Sequence, residues 1–230
     1  MATPRSSAAT LLLISGLARE AAIFAGPDRF SICGDAPTLR AKLARLQGPG
    51  LRLVMSVGIC GGLDPALRPG QLVVGAGVVS TGETIATDPA ATAALRRRLA
   101  EAGRPAAVGH LAGVDAPVLT AVAKAALRTS SRAVAVDMES QLAGRFARRL
   151  GVPFVILRAV SDPAERDLPS LVLEAVDPDG RTNLGAVVAG LACSPGQLPR
   201  LLGAARDSGA AFAALRKVAA IVGGFAADGS

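Results

Sequence analysis

The sequence predicts an α/β protein in which helices cover both faces of a mostly parallel sheet, an α/β/α sandwich. Short apolar runs alternate with alanine-rich helical segments along most of the 230 residues. The apolar runs are rich in Val, Ile and Leu without polar alternation, which is typical of strands that are buried on both faces. A regular alternation of buried strands and helices favours parallel strands joined by crossover helices.

The elements can be placed in chain order. Apolar runs predict strands near residues 11–15, 29–33, 52–58, 71–79, 105–112, 133–137 and 153–161. Helical patterns predict helices near 36–47, 89–102, 117–129, 139–150, 181–192 and 197–222. Because no repeat or linker divides the chain, we expect a single domain over residues 1–230, with a helical C-terminal part from 181 to 225.

The composition argues against several classes of protein. No stretch reaches the roughly 18 to 20 apolar residues that a membrane-spanning helix needs, and the apolar run near the N-terminus is too short for a secretory signal. We therefore expect a soluble, cytoplasmic protein. Widely spaced Cys33, Cys60 and Cys193 fit reduced thiols, and His110, the only histidine, argues against a metal site and fits a structural role.

The net charge of +7 comes almost wholly from arginines that are spread over helical faces such as 95–99 and 145–149. Since the chain has no Tyr or Trp to interleave with them, we expect solvated helix faces and no binding of nucleic acid. Basic residues also favour anionic lipid surfaces. The only membrane association that we expect is therefore peripheral contact with the inner face of a membrane.

Glycines and polar residues concentrate after the predicted strands, where open α/β sheets build ligand sites. Gly58, Gly61 and Gly62 follow one strand, and glycine lets backbone N–H groups approach a phosphate or a ribose closely. A tight turn shaped by Pro65 and Pro69 would explain the same glycines. The pattern alone leaves both interpretations open.

Two carboxylates flank Met138 in the stretch VAVDMES, at the end of a strand that we expect to be buried. A buried carboxylate needs hydrogen bonds or a cation. We interpret Asp137 as a carboxylate that satisfies the free amides of a helix N-terminus. For Glu139 we favour a ligand with a vicinal diol, such as ribose.

Two further acids stand in predicted loops. Asp162, in Ser161-Asp162-Pro163, is either a turn residue or, if its surroundings raise its pKa, a general acid. Glu20 stands beside Arg19 in SGLARE, where a surface ion pair is the simplest explanation.

Four stretches together resemble the purine nucleoside phosphorylase and nucleosidase superfamily. SVGICGGLDPALRPGQLVV is similar to its glycine loop, VAVDMES to its V-E-M-E signature, LRAVSD to its R-A-x-S-D motif and SGLARE to its first strand and loop. They occur in the family's order within residues 11–165. Within the superfamily the chain is most similar to hopanoid-associated phosphorylases, through GLAREA, VDAPVLTAVAKAAL and the tail over residues 181–218.

This resemblance implies a nucleoside phosphorylase-like fold and cleavage of the N-glycosidic bond of adenosylhopane, a lipid-linked nucleoside. Adenine would be released and a ribosyl or phosphoribosyl hopane would form in hopanoid biosynthesis. By the same resemblance, Asp162 protonates N7 of adenine and Ser161 orients Asp162, while Glu139 binds the ribose hydroxyls and Met138 packs on the sugar. Pro117 and Val118 occupy the place of an aromatic residue that stacks on the base in nucleosidases.

The resemblance is compatible with two nucleophiles, water and phosphate. In nucleosidases a glutamate that matches Glu20 activates water, whereas hexameric phosphorylases use an arginine of this loop for phosphate. Arg19, with the backbone amides of Gly58, Gly61 and Gly62, would supply the anion contact here. We expect phosphorolysis, with phosphate as co-substrate and no other cofactor.

Two alternatives stay open at this point. One is a hydrolytic nucleosidase for methylthioadenosine or S-adenosylhomocysteine, and the other is a nucleoside-binding protein without catalysis. Because members of the superfamily are dimers or hexamers, the resemblance also implies a homo-oligomer.

Overall fold

The computed structural model describes residues 11–47, 50–173, 176–181, 183 and 195–227. Within these residues eight strands form one sheet: β1 Leu11–Ser15, β2 Arg29–Cys33, β3 Leu53–Gly62, β4 Leu72–Ser80, β5 Glu83–Ala86, β6 Ala107–Gly113, β7 Ala135–Asp137 and β8 Phe154–Asp162. The described helices are α1 Ala18–Ile23, α2 Ala36–Arg45, α3 Pro89–Glu101, α4 Ala121–Ser131, α5 Ser140–Leu150 and α6 Leu198–Ala227.

The sheet is mixed and partly closed. Parallel pairing joins β2 to β1, β1 to β3, β3 to β8, β4 to β6 and β6 to β7. Antiparallel pairing joins β3 to β7, β4 to β5 and β4 to β8. Because β8 pairs with both β3 and β4, the strands β3, β7, β6, β4 and β8 form a closed ring. Outside the ring, β1 pairs with β3 and β2 pairs with β1, while β5 pairs with β4.

Helices cover both faces of the sheet, as the α/β/α prediction requires. Successive side chains of a strand point to opposite faces. On one face, residues such as Leu12, Ile14 and Ile156 pack against α2 and α5. On the other face, residues such as Leu11, Leu13 and Leu157 pack against α3 and α6.

Side chains at the predicted loop ends cap the helices. Asp35, Asp88 and Thr120 each accept a hydrogen bond from a backbone N–H in the first turn of α2, α3 and α4. The cap at Thr120 starts α4 at Ala121, four residues later than the predicted helix over 117–129. Residues 117–119 are therefore free to follow another path, and they reach the site described below.

The fold differs from the prediction in four places. The strand predicted at 52–58 continues to Gly62, because Gly58 and Gly61 pair with Arg158 and Asp162 of β8. The glycine loop is thus the end of β3. The short elements α1 and β5 were not predicted, and antiparallel pairs appear beside the expected parallel ones.

Two predictions cannot be compared with the described fold. The helix predicted over 181–192 and Cys193 lie almost wholly outside the described residues. The helix predicted over 197–222 is confirmed as α6. Within the part of the chain described above, no helix is long and apolar enough to cross a bilayer.

Candidate active site

A cavity of about 470 Å³ opens where β1, β2, β3, β7 and β8 end. The segments after these strands supply most of its lining, and the segments 114–118 and 176–178 complete it. The volume lies in the range of small-molecule sites. A larger cleft of about 680 Å³ between residues 163–167 and 199–203 gathers surface side chains such as Glu165 and Arg200. The smaller cavity is the better candidate because buried ionisable groups converge on it.

The guanidinium of Arg158 lies beneath this cavity and has no exposed surface. Its Nε is 2.7 Å from Asp137 Oδ2, and its Nη2 is 3.1 Å from Glu139 Oε2. Nη2 also donates to Ser56 Oγ at 2.6 Å. Burial opposes the charge of Arg158, but the charges of Asp137, Glu139 and Glu20 outweigh it and raise the pKa of Arg158. The site therefore rests on a permanent cation that anchors several carboxylates.

Glu20 is buried at the start of α1 and faces the same cavity. Its Oε2 accepts hydrogen bonds from the N–H groups of Gly16 at 3.0 Å and Leu17 at 2.9 Å, and its Oε1 accepts one from Ile59 at 2.7 Å. Burial raises the pKa of Glu20, against the opposing effects of Arg158 and these amides. A fixed carboxylate with a raised pKa is suited to accept a proton from water in the cavity.

The backbone at Gly58 makes room for this arrangement. Gly58 has φ +147°, and a Cβ atom there would lie 2.5 Å from Glu20 Oε1 and 2.7 Å from Arg158 Nη1. Only glycine lets the carboxylate and the guanidinium meet at this point. The space beside Gly58, where the sequence suggested a phosphate, is filled by the side chains of Glu20 and Arg158.

Glu139 and Met138 both line the cavity. Burial raises the pKa of Glu139 to about 8; the positive charge of Arg158 opposes this rise, and the negative charges of Asp137 and Glu20 add to it. A Cβ atom on Gly16 would lie 2.4 Å from Glu139 Oε1. The glutamate is therefore packed closely against the loop that follows β1.

Asp137 caps the start of α5, in agreement with the interpretation from sequence. Its Oδ1 accepts a hydrogen bond from the N–H of Ser140 at 3.1 Å, and its Oδ2 accepts one from Ser140 Oγ. The ion pair with Arg158 was not predicted. Asp137 therefore serves both the helix and the buried cation.

Asp162 stands at the end of β8 and is almost completely buried at the cavity wall. Ser161 Oγ lies 2.7 Å from its Oδ1 and 3.1 Å from the carbonyl oxygen of Cys60. Lys124, on α4, lies 2.5 Å from Oδ2 through its Nζ. The side chain of Lys124 has no exposed surface, and the sequence did not single it out.

Several predicted site residues are placed differently by the structure. Pro117, Val118 and Gly61 line the cavity, whereas Gly58 lies behind Glu20 and Gly62 packs against the backbone of Asp162. Neither Gly58 nor Gly62 is a lining residue.

Arg19 is exposed and does not line the cavity. Its guanidinium lies 4.2 Å from the ring centroid of Phe212 on α6, so its cation–π contact holds α1 to that helix. The backbone N–H of Ile59, within the proposed anion loop, already donates to Glu20. The structure therefore does not bring together the anion contacts that the sequence suggested.

Two buried cations were missed for different reasons. Arg158 interrupts an apolar run that was expected to be buried on both faces, and that unusual position was a usable signal. Lys124 stands in an alanine-rich helix, where a lysine is normally solvated, so no signal marked it. In the described ranges no group of three His, Cys, Asp or Glu side chains is arranged to hold a metal ion.

The fold is similar to that of known nucleosidases. The 5′-methylthioadenosine/S-adenosylhomocysteine nucleosidase from Neisseria meningitidis is 19% identical, with a TM-score of 0.66 over 93% of this chain and 98% of that chain. The enzyme of the same name from Helicobacter pylori is 15% identical, with a TM-score of 0.64 over 94% of this chain and 96% of that chain. Futalosine hydrolase of Helicobacter pylori is 18% identical, with a TM-score of 0.59 over 67% of this chain and 85% of that chain.

A family model also matches the sequence itself. The model of the phosphorylase superfamily matches residues 25–192, well over half of the chain. This range contains Glu139, Arg158 and Asp162. The chain therefore belongs to the phosphorylase superfamily.

Proposed function

We propose that the protein hydrolyses the N-glycosidic bond of a purine nucleoside. One observation carries the proposal: a single nucleoside-sized cavity is lined by an acid, Asp162, a carboxylate suited to the sugar, Glu139, and a base, Glu20. Acid, base and sugar ligand at one cavity are what cleavage of this bond requires.

The reaction divides between these residues. Asp162 gives a proton to the purine while the electron pair of the C1′–N9 bond moves onto the base. Positive charge develops on the sugar while Glu139 binds the sugar hydroxyls. Water attacks C1′ and gives its proton to Glu20. The products are the free base and the sugar.

Water is favoured over phosphate as the nucleophile by the charges of the site. None of the described lining residues is Arg, Lys or His, and the buried Arg158 is already matched by carboxylates. A phosphate in this cavity would face Glu20 and Glu139 without a free cation. The similar solved structures named above are, by their names, nucleosidases and a hydrolase, which supports the same choice.

The lining also bears on the substrate. Val114, Pro117, Val118 and Leu168 give part of the cavity an aliphatic wall, and no described lining residue is aromatic. Such a wall packs on a base or an alkyl group without the geometry that ring stacking imposes. We propose an adenosine derivative with a hydrophobic 5′ substituent, with adenosylhopane as the specific candidate and methylthioadenosine as the alternative.

Adenine release tests the function directly. Purified protein is given adenosylhopane, a soluble 5′-alkyl adenosine or methylthioadenosine, each with and without phosphate. We expect release without phosphate, with a free sugar as product. Release that requires phosphate and yields a sugar 1-phosphate would replace hydrolysis by phosphorolysis. Binding of the nucleosides without release would make the protein a nucleoside-binding protein.

Substitution of the proposed base tests the assignment of Glu20. Glu20→Gln is expected to lower kcat by about 10²- to 10⁴-fold, because an amide cannot take the proton of water. Glu101→Gln, at an exposed position of α3, is the matched control and should retain activity. Near-normal turnover by Glu20→Gln would exclude Glu20 as the base.

A further inference from the structure

The buried lysine behind the acid has a complete set of hydrogen-bond partners. Lys124 Nζ lies 2.5 Å from Asp162 Oδ2, 2.9 Å from the carbonyl oxygen of Pro163 and 3.0 Å from that of Arg166. An ammonium group has three N–H donors, and here each has one acceptor. The geometry fits a charged lysine that is fixed in position.

Asp162 is held from both sides as a result. Ser161 Oγ lies 2.7 Å from Oδ1 and 3.1 Å from the carbonyl oxygen of Cys60, and Lys124 Nζ donates to Oδ2. A hydrogen bond from an ammonium group to a carboxylate is charge-assisted and strong. The shortest polar contact of the Asp162 carboxylate is the one to Lys124 Nζ, so a proton on Lys124 is the closest nitrogen-bound proton to this carboxylate.

We infer that Lys124 is the source of the proton that Asp162 passes to the leaving base, so that the acid of the site is the Lys124–Asp162 pair. This inference rests on the proposed function. As the C1′–N9 electron pair moves onto the purine, the Asp162 oxygen protonates the base. The Nζ–H bond breaks and an Oδ2–H bond forms, and this Oδ2–H bond breaks in turn as the N–H bond of the base forms. Asp162 is then a carboxylate again and Lys124 is a neutral amine. After product release, Glu20 gives the proton that it took from water to the solvent, and Lys124 regains one from the solvent.

The surroundings of Lys124 suit both of its protonation states. After the transfer, the amine keeps two N–H groups, which match the carbonyl oxygens of Pro163 and Arg166. Its lone pair then faces Asp162 Oδ2, where it accepts a hydrogen bond from any proton on that oxygen. No side chain has to move for the proton to be exchanged. Because Lys124 acts through Asp162 without touching the substrate, it is a positioning residue.

Comparing the release rates of two leaving groups of different basicity distinguishes a role in proton transfer from a structural role of Lys124. Adenine leaves poorly without a proton, whereas 4-nitrophenolate is stable as an anion and needs none. We expect Lys124→Met to lower adenine release from the soluble 5′-alkyl adenosine by about 10²-fold or more. Release of nitrophenolate from 4-nitrophenyl riboside should stay within a few fold of the wild type. Lys217→Met, at an exposed position of α6, is the control and should change neither rate.

A double substitution tests whether the two residues act as one unit. Asp162→Asn should show the same selectivity between leaving groups as Lys124→Met. The double variant Lys124→Met/Asp162→Asn should release adenine no more slowly than Asp162→Asn alone, because the acid is already lost. Losses that multiply, or equal losses on both leaving groups, would overturn the inference and leave Lys124 a structural role.

Folding is controlled by a second variant and by thermal unfolding of each protein. Lys124→Met leaves a buried carboxylate without its cation, whereas Lys124→Gln keeps an N–H donor toward Asp162 but cannot release a proton. Both variants should show the same selectivity. A wild-type protein that cleaves no nucleoside contradicts the proposed function. A wild type that is active while Lys124→Gln retains full adenine release contradicts this inference alone.

Discussion

Gly16 shows how little space surrounds the carboxylate of Glu139, the proposed sugar ligand. A Cβ atom at this position would lie 2.4 Å from Glu139 Oε1, so Gly16→Ala must displace the glutamate. We expect kcat/KM to fall about 10- to 100-fold, because small misplacements of a site group are costly. Steady-state kinetics check this, with Gly196→Ala as control since open space surrounds Gly196. Unchanged kinetics in Gly16→Ala would mean that Glu139 does not bind the sugar in this position.

Glu139 also makes stability depend on pH. Burial raises its pKa from the ordinary value of 4.5 to about 8. Between these pH values the folded protein holds a proton that the unfolded chain has released, so the free energy of unfolding falls as pH rises. One such group contributes at most about 1.4 kcal/mol per pH unit. Glu20, whose pKa is also raised, acts in the same direction.

Thermal unfolding of the ligand-free protein between pH 5 and pH 8 measures this effect. We expect the melting temperature to decrease across the range, and Glu139→Gln should make the decrease smaller. Glu101→Gln, on the exposed face of α3, should follow the wild type. A wild-type melting temperature that rises over this range would contradict the assignment.

The site residues that could be predicted from the sequence are those whose residue types are unusual for their position. Asp137, Glu139 and Asp162 were noticed because acids rarely end buried strands. Arg19 was assigned to the anion contact because the resemblance to hexameric phosphorylases implies an arginine for phosphate in this loop. Which side of a short helix faces the cavity depends on how α1 packs against α6, and a sequence pattern of six residues does not determine that.

Among the elements, α6 and α5 offer a direct comparison of two helical glycines. Around Gly209 on α6, an added Cβ atom meets nothing within 4 Å. Around Gly144 on α5, it would lie 2.9 Å from Phe154 Cε1 and 3.0 Å from Ile85 Cγ2. Alanine has a higher helix propensity than glycine at both positions, but only position 209 has room for its methyl group.

We therefore expect opposite effects on stability from the same change. Gly209→Ala should stabilise the protein by about 0.5–1 kcal/mol, the usual difference between the two residues in a helix. Gly144→Ala should destabilise it by about 1–3 kcal/mol, as overpacking of a core does. Chemical unfolding of both variants measures the difference. Stabilisation by Gly144→Ala would show that α5 can move away from β8.

The elements that were predicted well are those with long hydrophobic patterns, either continuous apolar runs or helical periodicity. The buried strands β4 and β8 and the helices α3 and α5 lie within one or two residues of their predicted bounds. The glycines at the end of β3 were assigned to a loop because glycine disfavours strands. Their pairing with β8 outweighs that preference, and pairing between residues as distant in sequence as Gly58 and Arg158 leaves no local pattern.

For the whole molecule, the pairing of β8 with both β3 and β4 predicts one cooperative unit. The long helix α6 packs on β8, β3 and α3, so unfolding of α6 would expose the core on that face of the sheet. We expect one calorimetric transition, with an unfolding enthalpy of about 160 kcal/mol near 60 °C for 230 residues. Equal calorimetric and van't Hoff enthalpies would support a single domain.

Calorimetry is the suitable measurement because the chain has neither Trp nor Tyr to report unfolding by fluorescence. Two separated transitions, or a van't Hoff enthalpy well below the calorimetric one, would contradict the prediction of one domain. The closed ring itself could not be predicted, since a sequence pattern distinguishes buried from exposed strands but does not reveal which strands are neighbours.

The ring of β3, β7, β6, β4 and β8 also has a consequence for synthesis of the protein. Glu20 leaves the ribosome early, whereas Arg158 and Asp162 belong to the strand that closes the ring. Until that strand is made, the carboxylates of Glu20, Asp137 and Glu139 lack the guanidinium of Arg158. A growing chain therefore lacks both Arg158 and the proposed acid until β8 inserts between β3 and β4, and segment 176–178, made later still, completes the cavity.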